Sequence, residues 1–170
     1  MSEFQVAYRE EAIETPSLLP MVCDLIVAAR EKAPAMEIRG RIEALEAQLE
    51  KLPQVEQPVD HFFTDGLYGR RIFNPQDSFI VTKIHKKPNF SFLLSGKLSV
   101  ITEHGLEIVE GPRFFVTEPG TKRVLYAQTD VVFMTVHANR DNCEDLDTLE
   151  ARIIAKSFNE LGSDACGVLQ

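Results

Sequence analysis

A polar run, Lys83-Ile84-His85-Lys86-Lys87-Pro88, opens into the apolar segment Asn89–Leu94, and Ser95-Gly96 turns the chain into a second apolar run at Lys97–Val100. An imidazole among ammonium groups is a set of hydrogen-bond donors and also a metal ligand. Its position just ahead of a strand is where a β-barrel presents a pocket. Other signatures of chemistry are missing. There is no phosphate-cradling glycine loop, no Gly-x-Ser-x-Gly elbow and no cysteine beside a histidine in the sequence. Cys23, Cys143 and Cys166 are widely spaced with no Cys-x-x-Cys pair, so they read as buried or incidental thiols, not as a disulfide framework or zinc knuckle. Glu103, Glu107, Glu110 and Glu118 could supply a carboxylate pair for acid–base work, but they lie near turn signals and read more simply as a solvated edge. Nothing in these residues requires catalysis.

The elements that must position the polar run are mostly strands. Short segments rich in β-branched and aromatic residues predict strands at His61–Thr64, Leu67–Asn74, Ser78–His85, Asn89–Leu94, Lys97–Thr102, Leu106–Val109, Arg113–Thr117, Lys122–Gln128 and Val131–Ala138. Turn dipeptides such as Asp65-Gly66, Asn74-Pro75, Gly111-Pro112 and Pro119-Gly120 separate them. Many short strands at regular spacing mean an all-β sandwich or barrel.

Helices flank this region. Ser17 is placed to cap a helix carrying Leu18, Met21, Val22, Leu25, Ile26 and Ala29 at helical spacing, with Pro20 in its first turn and Pro34 beyond its end. A second helix is predicted from Met36 to Leu52, where Ile38, Ile42, Leu45, Leu49 and Leu52 occupy heptad a and d positions. Two heptads are marginal alone, so the stripe packs either within the subunit or against another copy of the chain. The 36–52 helix is accordingly a candidate for homo-oligomerisation. After His137 the chain turns acidic, and Asn142 to Asp145 resembles a cap for a helix presenting Leu146, Leu149, Ile153, Ile154 and Phe158 on one face. The first fifteen residues read as a mobile or partner-docked arm, and Gly162 to Gln170 as a tail. The expected organisation is a helical arm and linker over 1–57, a β-barrel over 58–140, and a C-terminal helix and tail over 141–170.

The net charge of −8 is unevenly spread. Residues 1–60 carry 6 Lys/Arg against 12 Asp/Glu, 61–140 carry 10 against 7, and 141–170 carry 2 against 7. The centre is positive and the flanks acidic, with no basic stripe long enough to track phosphates, which argues against nucleic acid. The longest apolar run, Leu18 to Ala29, is broken by Pro20 and Asp24 and is too short to span a bilayer, so no membrane partner is expected. The expected location is the cytoplasm.

The stretches HFFTDGLYGR from His61, KIHKKP followed by FLLSG, EPGTKR from Glu118, and VVFMTVH ending at His137 resemble a small single-domain cupin of the RmlC-like jelly-roll type. They also resemble small bacteriophage-encoded cupin-like proteins of unassigned function, which implies host cytoplasm, or alternatively the virion, as the location. The resemblance covers somewhat under half of the chain and implies a mainly β fold, a barrel that in cupins often holds a metal ion between two motifs. Anchoring the first motif on Gly96 places Asn89 at the family's glutamate, His85 at its second histidine and Lys83 at its first. Anchoring the second on Gly120 places Arg123 at its histidine and Ala127 at its asparagine, and Pro-x-Gly reads Glu118-Pro119-Gly120. Of the four ligand positions only His85 keeps a good metal ligand. Lys83 and Arg123 would bring two positive charges to the place of a cation.

With Tyr68, the set Lys83, His85, Asn89 and Arg123 suits a small anionic ligand, a carboxylate or phosphate. The structural alternative for the cations is that Lys83 reaches outward and Arg123 pairs with Glu118 or Glu103. No cofactor is expected from this set. A divalent metal would need another layout, built from His85, His61 and His137, in which the first and last barrel strands are neighbours. Three readings follow: a non-enzymatic binding module, which the resemblance implies is a phage accessory protein holding a small anion or a host factor; a phage structural or assembly protein using the barrel as an oligomeric block; and a metal-dependent isomerase or dioxygenase.

Overall fold

The structure, a computed structural model, describes residues 5–9 and 18–161. Ser17, the expected helix cap, and the tail with Cys166 lie outside the described residues. Twelve strands are formed: β1 (Gln5–Arg9), β2 (Val59–Thr64), β3 (Gly66–Asn74), β4 (Ser78–Thr82), β5 (Ile84–His85), β6 (Asn89–Ser95), β7 (Lys97–Thr102), β8 (Gly105–Glu110), β9 (Arg113–Thr117), β10 (Val124–Ala127), β11 (Val131–Asn139) and β12 (Ile154–Ala155). Helices α1 (Leu19–Arg30) and α2 (Ala35–Leu49) precede the barrel, and α3 (Leu146–Ile153) follows it. One five-stranded sheet has the order β1-β4-β10-β7-β8, the other β2-β3-β11-β6-β9, and β12 pairs with β5. Strands distant in sequence interleave in two facing antiparallel sheets, which is the jelly-roll arrangement. The fold is mainly β, a small jelly-roll barrel with two N-terminal helices and one C-terminal helix.

Residues 5–9, expected to belong to a mobile or partner-docked arm, instead form the edge strand β1, antiparallel to β4 from Gln5↔Thr82 to Arg9↔Ser78. The bonds are between backbones, so the segment needs no apolar alternation to signal them. Ser95-Gly96 turns β6 into β7 as expected. Gly96 has φ +90° and an added Cβ would stand 2.2 Å from the Asp130 carbonyl oxygen, so this turn requires glycine.

The α2 stripe explains where the helical arm goes. Ile38, Ile42, Leu45 and Leu49 are buried in a core shared with Val22, Leu25 and Ala29 of α1 and with Val81, Ile101 and Val124 of the barrel. Of the two packings expected for the 36–52 stripe, the one within the subunit is present from Ile38 to Leu49. A stripe facing a flat apolar sheet has the same spacing as one facing another helix. Charges reinforce the contact. Arg39 of α2 makes a two-pronged bond to Glu103 at 2.6 and 2.9 Å, and Glu46 accepts from both Lys83, at 3.2 Å, and buried Lys122. The change of periodicity after Pro58 is real, yet the 57/58 boundary does not separate two cores.

At the other end, Asp145 caps α3 by accepting from the Thr148 amide at 3.3 Å, and Leu149 and Ile153 pack with Tyr68 and Ile154. The α-helix stops at Ile153, so the expected face does not run on: Ile154 lies in β12 and Phe158 opens a separate 3-10 turn, Phe158–Glu160. Ile154 instead pairs with His85 across β12 and β5.

Candidate functional site

Strand alternation places the site. In the second sheet, register sets Arg70 of β3, Thr135 of β11, Ser91 of β6 and Phe115 of β9 side by side in one cross-strand row. Two residues along, Ile72, Phe133 and Leu93 form the next row. In the first sheet, Arg123 bonds Thr82 through its backbone, Leu125 faces Val100, and Leu98 faces Val109. These residues, with Lys83, His85 and Asn74, line a cavity of about 60 Å³ between the sheets. At ~10–15 Å³ per water that volume takes a few waters or a small molecule. One end is polar, carrying Arg70, Arg123, Thr82, Lys83, Ser91, Thr135 and His85, and the rest is aliphatic and aromatic apart from Asn74 at the far end.

Arg123 is the centre of the polar end. Its Nη1 and Nη2 each donate to Thr117 Oγ1 at 3.2 Å, and its guanidinium lies 5.4 Å from the centroid of the Phe115 ring. Burial lowers its pKa to about 10. Among the described residues no carboxylate lies within ion-pair distance of it. Neither expected partner takes it, since Glu103 is held by Arg39 and Glu118 is exposed with its backbone carbonyl bonded by Thr121. Thr117 Oγ1 lies 2.7 Å from Ser91 Oγ, which donates to Asn89 Oδ1 at 3.2 Å. Asn89 Nδ2, buried, has no acceptor among the described residues. The family's glutamate position thus ends a chain of polar groups running from Arg123.

Lys83 touches the cavity, but its ammonium turns to Glu46 and Glu50, at 3.2 and 3.8 Å. Lys83, expected as a ligand-binding cation, lines the cavity and also joins the barrel to α2 through these ion pairs. A further cation, Arg70, also lines the cavity. It is buried, with its pKa lowered to about 10 chiefly by burial, and the sequence reading passed over it. The signal was present: Tyr68, Arg70 and Ile72 share one face of β3, whereas Arg71 shares the other and pairs with Asp60 at 2.7 Å.

Tyr68 lies off the cavity. It is fully buried, its hydroxyl 2.8 Å from His61 Nδ1 and its ring 6.1 Å from that of His137. His137 in turn stacks on His85 at 5.2 Å. His61, Tyr68, His137 and His85 therefore form one column of near-parallel rings, bringing together the histidines that the alternative metal layout required. Their nitrogens do not converge. His61 Nδ1 faces Tyr68, His137 Nε2 lies 3.0 Å from Thr135 Oγ1, and among the described residues no three His, Cys, Asp or Glu side chains could hold a metal ion. Burial, then His137, Arg123 and Arg70, push the His85 pKa down to about 3, and burial with Arg70 pushes that of His137 down to about 4. Two guanidinium groups beside His85 oppose a divalent cation, so the metal that cupins often carry does not fit this donor set.

With this geometry in place, comparisons with known proteins concern the fold. The structure is similar to an acetylacetone dioxygenase from Acinetobacter johnsonii, at 14% identity over 51% of this chain and 66% of that one, with a TM-score of 0.42. It is also similar to RmlC-like cupins from Methanocaldococcus jannaschii, at 10% identity over 50% of this chain and 82% of that one with a TM-score of 0.43, and from Shewanella frigidimarina, at 12% identity over 52% and 78% with a TM-score of 0.42. The matched part spans just under two thirds of the dioxygenase. No family model and no curated protein matches the sequence. At these identities and scores the likeness says nothing of activity, and the jelly-roll description rests on the sheet order. The resemblance to bacteriophage proteins gains no support from these structures.

Proposed function

We propose that this chain is a non-enzymatic binding barrel for a small organic anion, held at the polar end of the cavity. One observation carries the reading: the Arg123 guanidinium lines the cavity with no carboxylate beside it among the described residues, while Lys83, Lys122 and Arg39 each have one. The lowered pKa of Arg123 corresponds to a desolvation cost on the order of 3 kcal/mol. A bound anion offsets that cost and accepts from the guanidinium N–H groups that do not face Thr117. Neutral His85 and the Thr82 and Thr135 hydroxyls, which line the cavity, complete the donor set. The site holds no activated nucleophile and no paired carboxylates, and the stripe that favoured an assembly role is buried in the subunit. The bacteriophage resemblance contributes nothing to this reading.

Thermal-shift and calorimetric screening against organic acids, sugar phosphates and nucleotides tests it. A ligand at a hundred times its Kd stabilises by ~2.7 kcal/mol. For a domain of this size that raises Tm by about 5–10 °C. The shift is expected to vanish in Arg123→Met, and anion stabilisation that is unchanged in this variant would refute the proposal.

A further inference from the structure

The cavity has a direction as well as a charge. Arg70, Thr135 and Ser91 form one cross-strand row, and the next row, Ile72, Phe133 and Leu93, is wholly apolar. The facing sheet repeats the step, from Arg123 and Thr82 to Leu125 and Val100, and then to Leu98 and Val109. Two residues of strand advance the chain by ~7 Å. The polar layer is therefore one row deep, enough for a flat two-oxygen head and too shallow for a phosphate followed by a sugar. Asn74, at the far end of the cavity wall, already accepts from Gln57 and does not extend the polar layer inward. Leu93, Leu98, Val109 and Leu125 belong to the barrel's buried core, so a ligand whose head lies at the arginines meets hydrocarbon beyond them.

We propose that the ligand is a monocarboxylate with a short unbranched or aromatic apolar body, its carboxylate between Arg70 and Arg123 and its body among Leu93, Leu98, Val100 and Leu125. This rests on the anion-binding reading above and names the class of anion. The carboxylate accepts from the guanidinium groups and from the Thr82 and Thr135 hydroxyls, while the body removes apolar surface from water. Charge alone would favour phosphate over a carboxylate, whereas the wall reverses that order.

Calorimetry on the full chain with acetate, butyrate, hexanoate, hexanamide and inorganic phosphate tests the assignment. Affinity is expected to rise about fourfold per methylene from acetate to hexanoate, the equivalent of ~0.8 kcal/mol for each buried group. Hexanamide, which keeps the body and lacks the charge, is expected to bind at least tenfold more weakly than hexanoate. Arg123→Met should remove that difference, and Val100→Phe should weaken hexanoate while sparing acetate. Phosphate and acetate binding as tightly as hexanoate would overturn the carboxylate-with-body assignment and leave anion binding standing. Hexanamide equal to hexanoate would overturn the placement of the carboxylate. No response to any anion in the unmodified protein would overturn both readings together.

Discussion

His85 and His137 make the protein sensitive to acid in a way that can be calculated. In the folded chain their pKa values are pushed down to about 3 and about 4, by burial first and then by neighbouring positive groups. In the unfolded chain both imidazoles titrate near 6.5. Between those values the unfolded chain binds more protons, so stability is at full strength above pH ~6.5 and is lost as pH falls toward the folded values. From pH 7.5 to 5.0 each ring contributes a loss of about 2 kcal/mol, or about 4 kcal/mol together. Against a typical total of 5–15 kcal/mol this is a large share. Urea unfolding at the two pH values measures it. His85→Gln removes one of the two rings, and the loss between pH 7.5 and 5.0 is expected to shrink by about 2 kcal/mol. The depression at His137 has its own causes, burial and Arg70, and should persist. An unchanged pH dependence in His85→Gln, or an imidazole NMR titration of His85 near 6.5 in the folded protein, would refute the reasoning.

Two further predictions concern the helical arm. Glu46→Gln leaves the buried Lys122 ammonium without its carboxylate and should cost about 3 kcal/mol in urea unfolding, whereas Glu50→Gln, at an exposed position 3.8 Å from Lys83, should cost under ~0.5 kcal/mol. Deleting residues 1–57 uncovers Val81, Ile101 and Val124, so the remaining barrel should bind a hydrophobic dye and aggregate on size-exclusion chromatography. A well-folded, dye-free barrel of the size of one chain would show that the shared core is dispensable.

Much of the fold was legible because period-two alternation marks strands and glycine or proline marks the turns. Lys97–Thr102 and Arg113–Thr117 form strands over the spans their residues predict. Ser78–His85 breaks at Lys83, where the chain leaves one sheet and β5 joins β12. That break cannot be read locally, because its cause, Ile154, is almost seventy residues away. The site was half legible. The family pattern pointed to His85, Asn89 and Arg123, and these do lie at or beside the cavity's polar end. It also pointed to Lys83, whose long stem lets the ammonium leave the cavity for Glu46. Arg70 carried only a parity signal, and a family motif directs attention away from residues it does not contain. The heptad in α2 was seen correctly as a buried stripe, but spacing records that a face is covered and not by what.

That shared core also orders events during synthesis. The stripe of α2 leaves the ribosome well before Val81, Ile101 and Val124, its partners in the barrel. Until β10 is made, the two helices can only cover one another, with part of their apolar surface facing water. The nascent chain therefore carries an exposed hydrophobic hairpin through the interval in which β4 and β7 are being translated, and its docking waits on contacts of long sequence separation. The segment that finishes the barrel's outer wall is made before the strands it covers and placed after them.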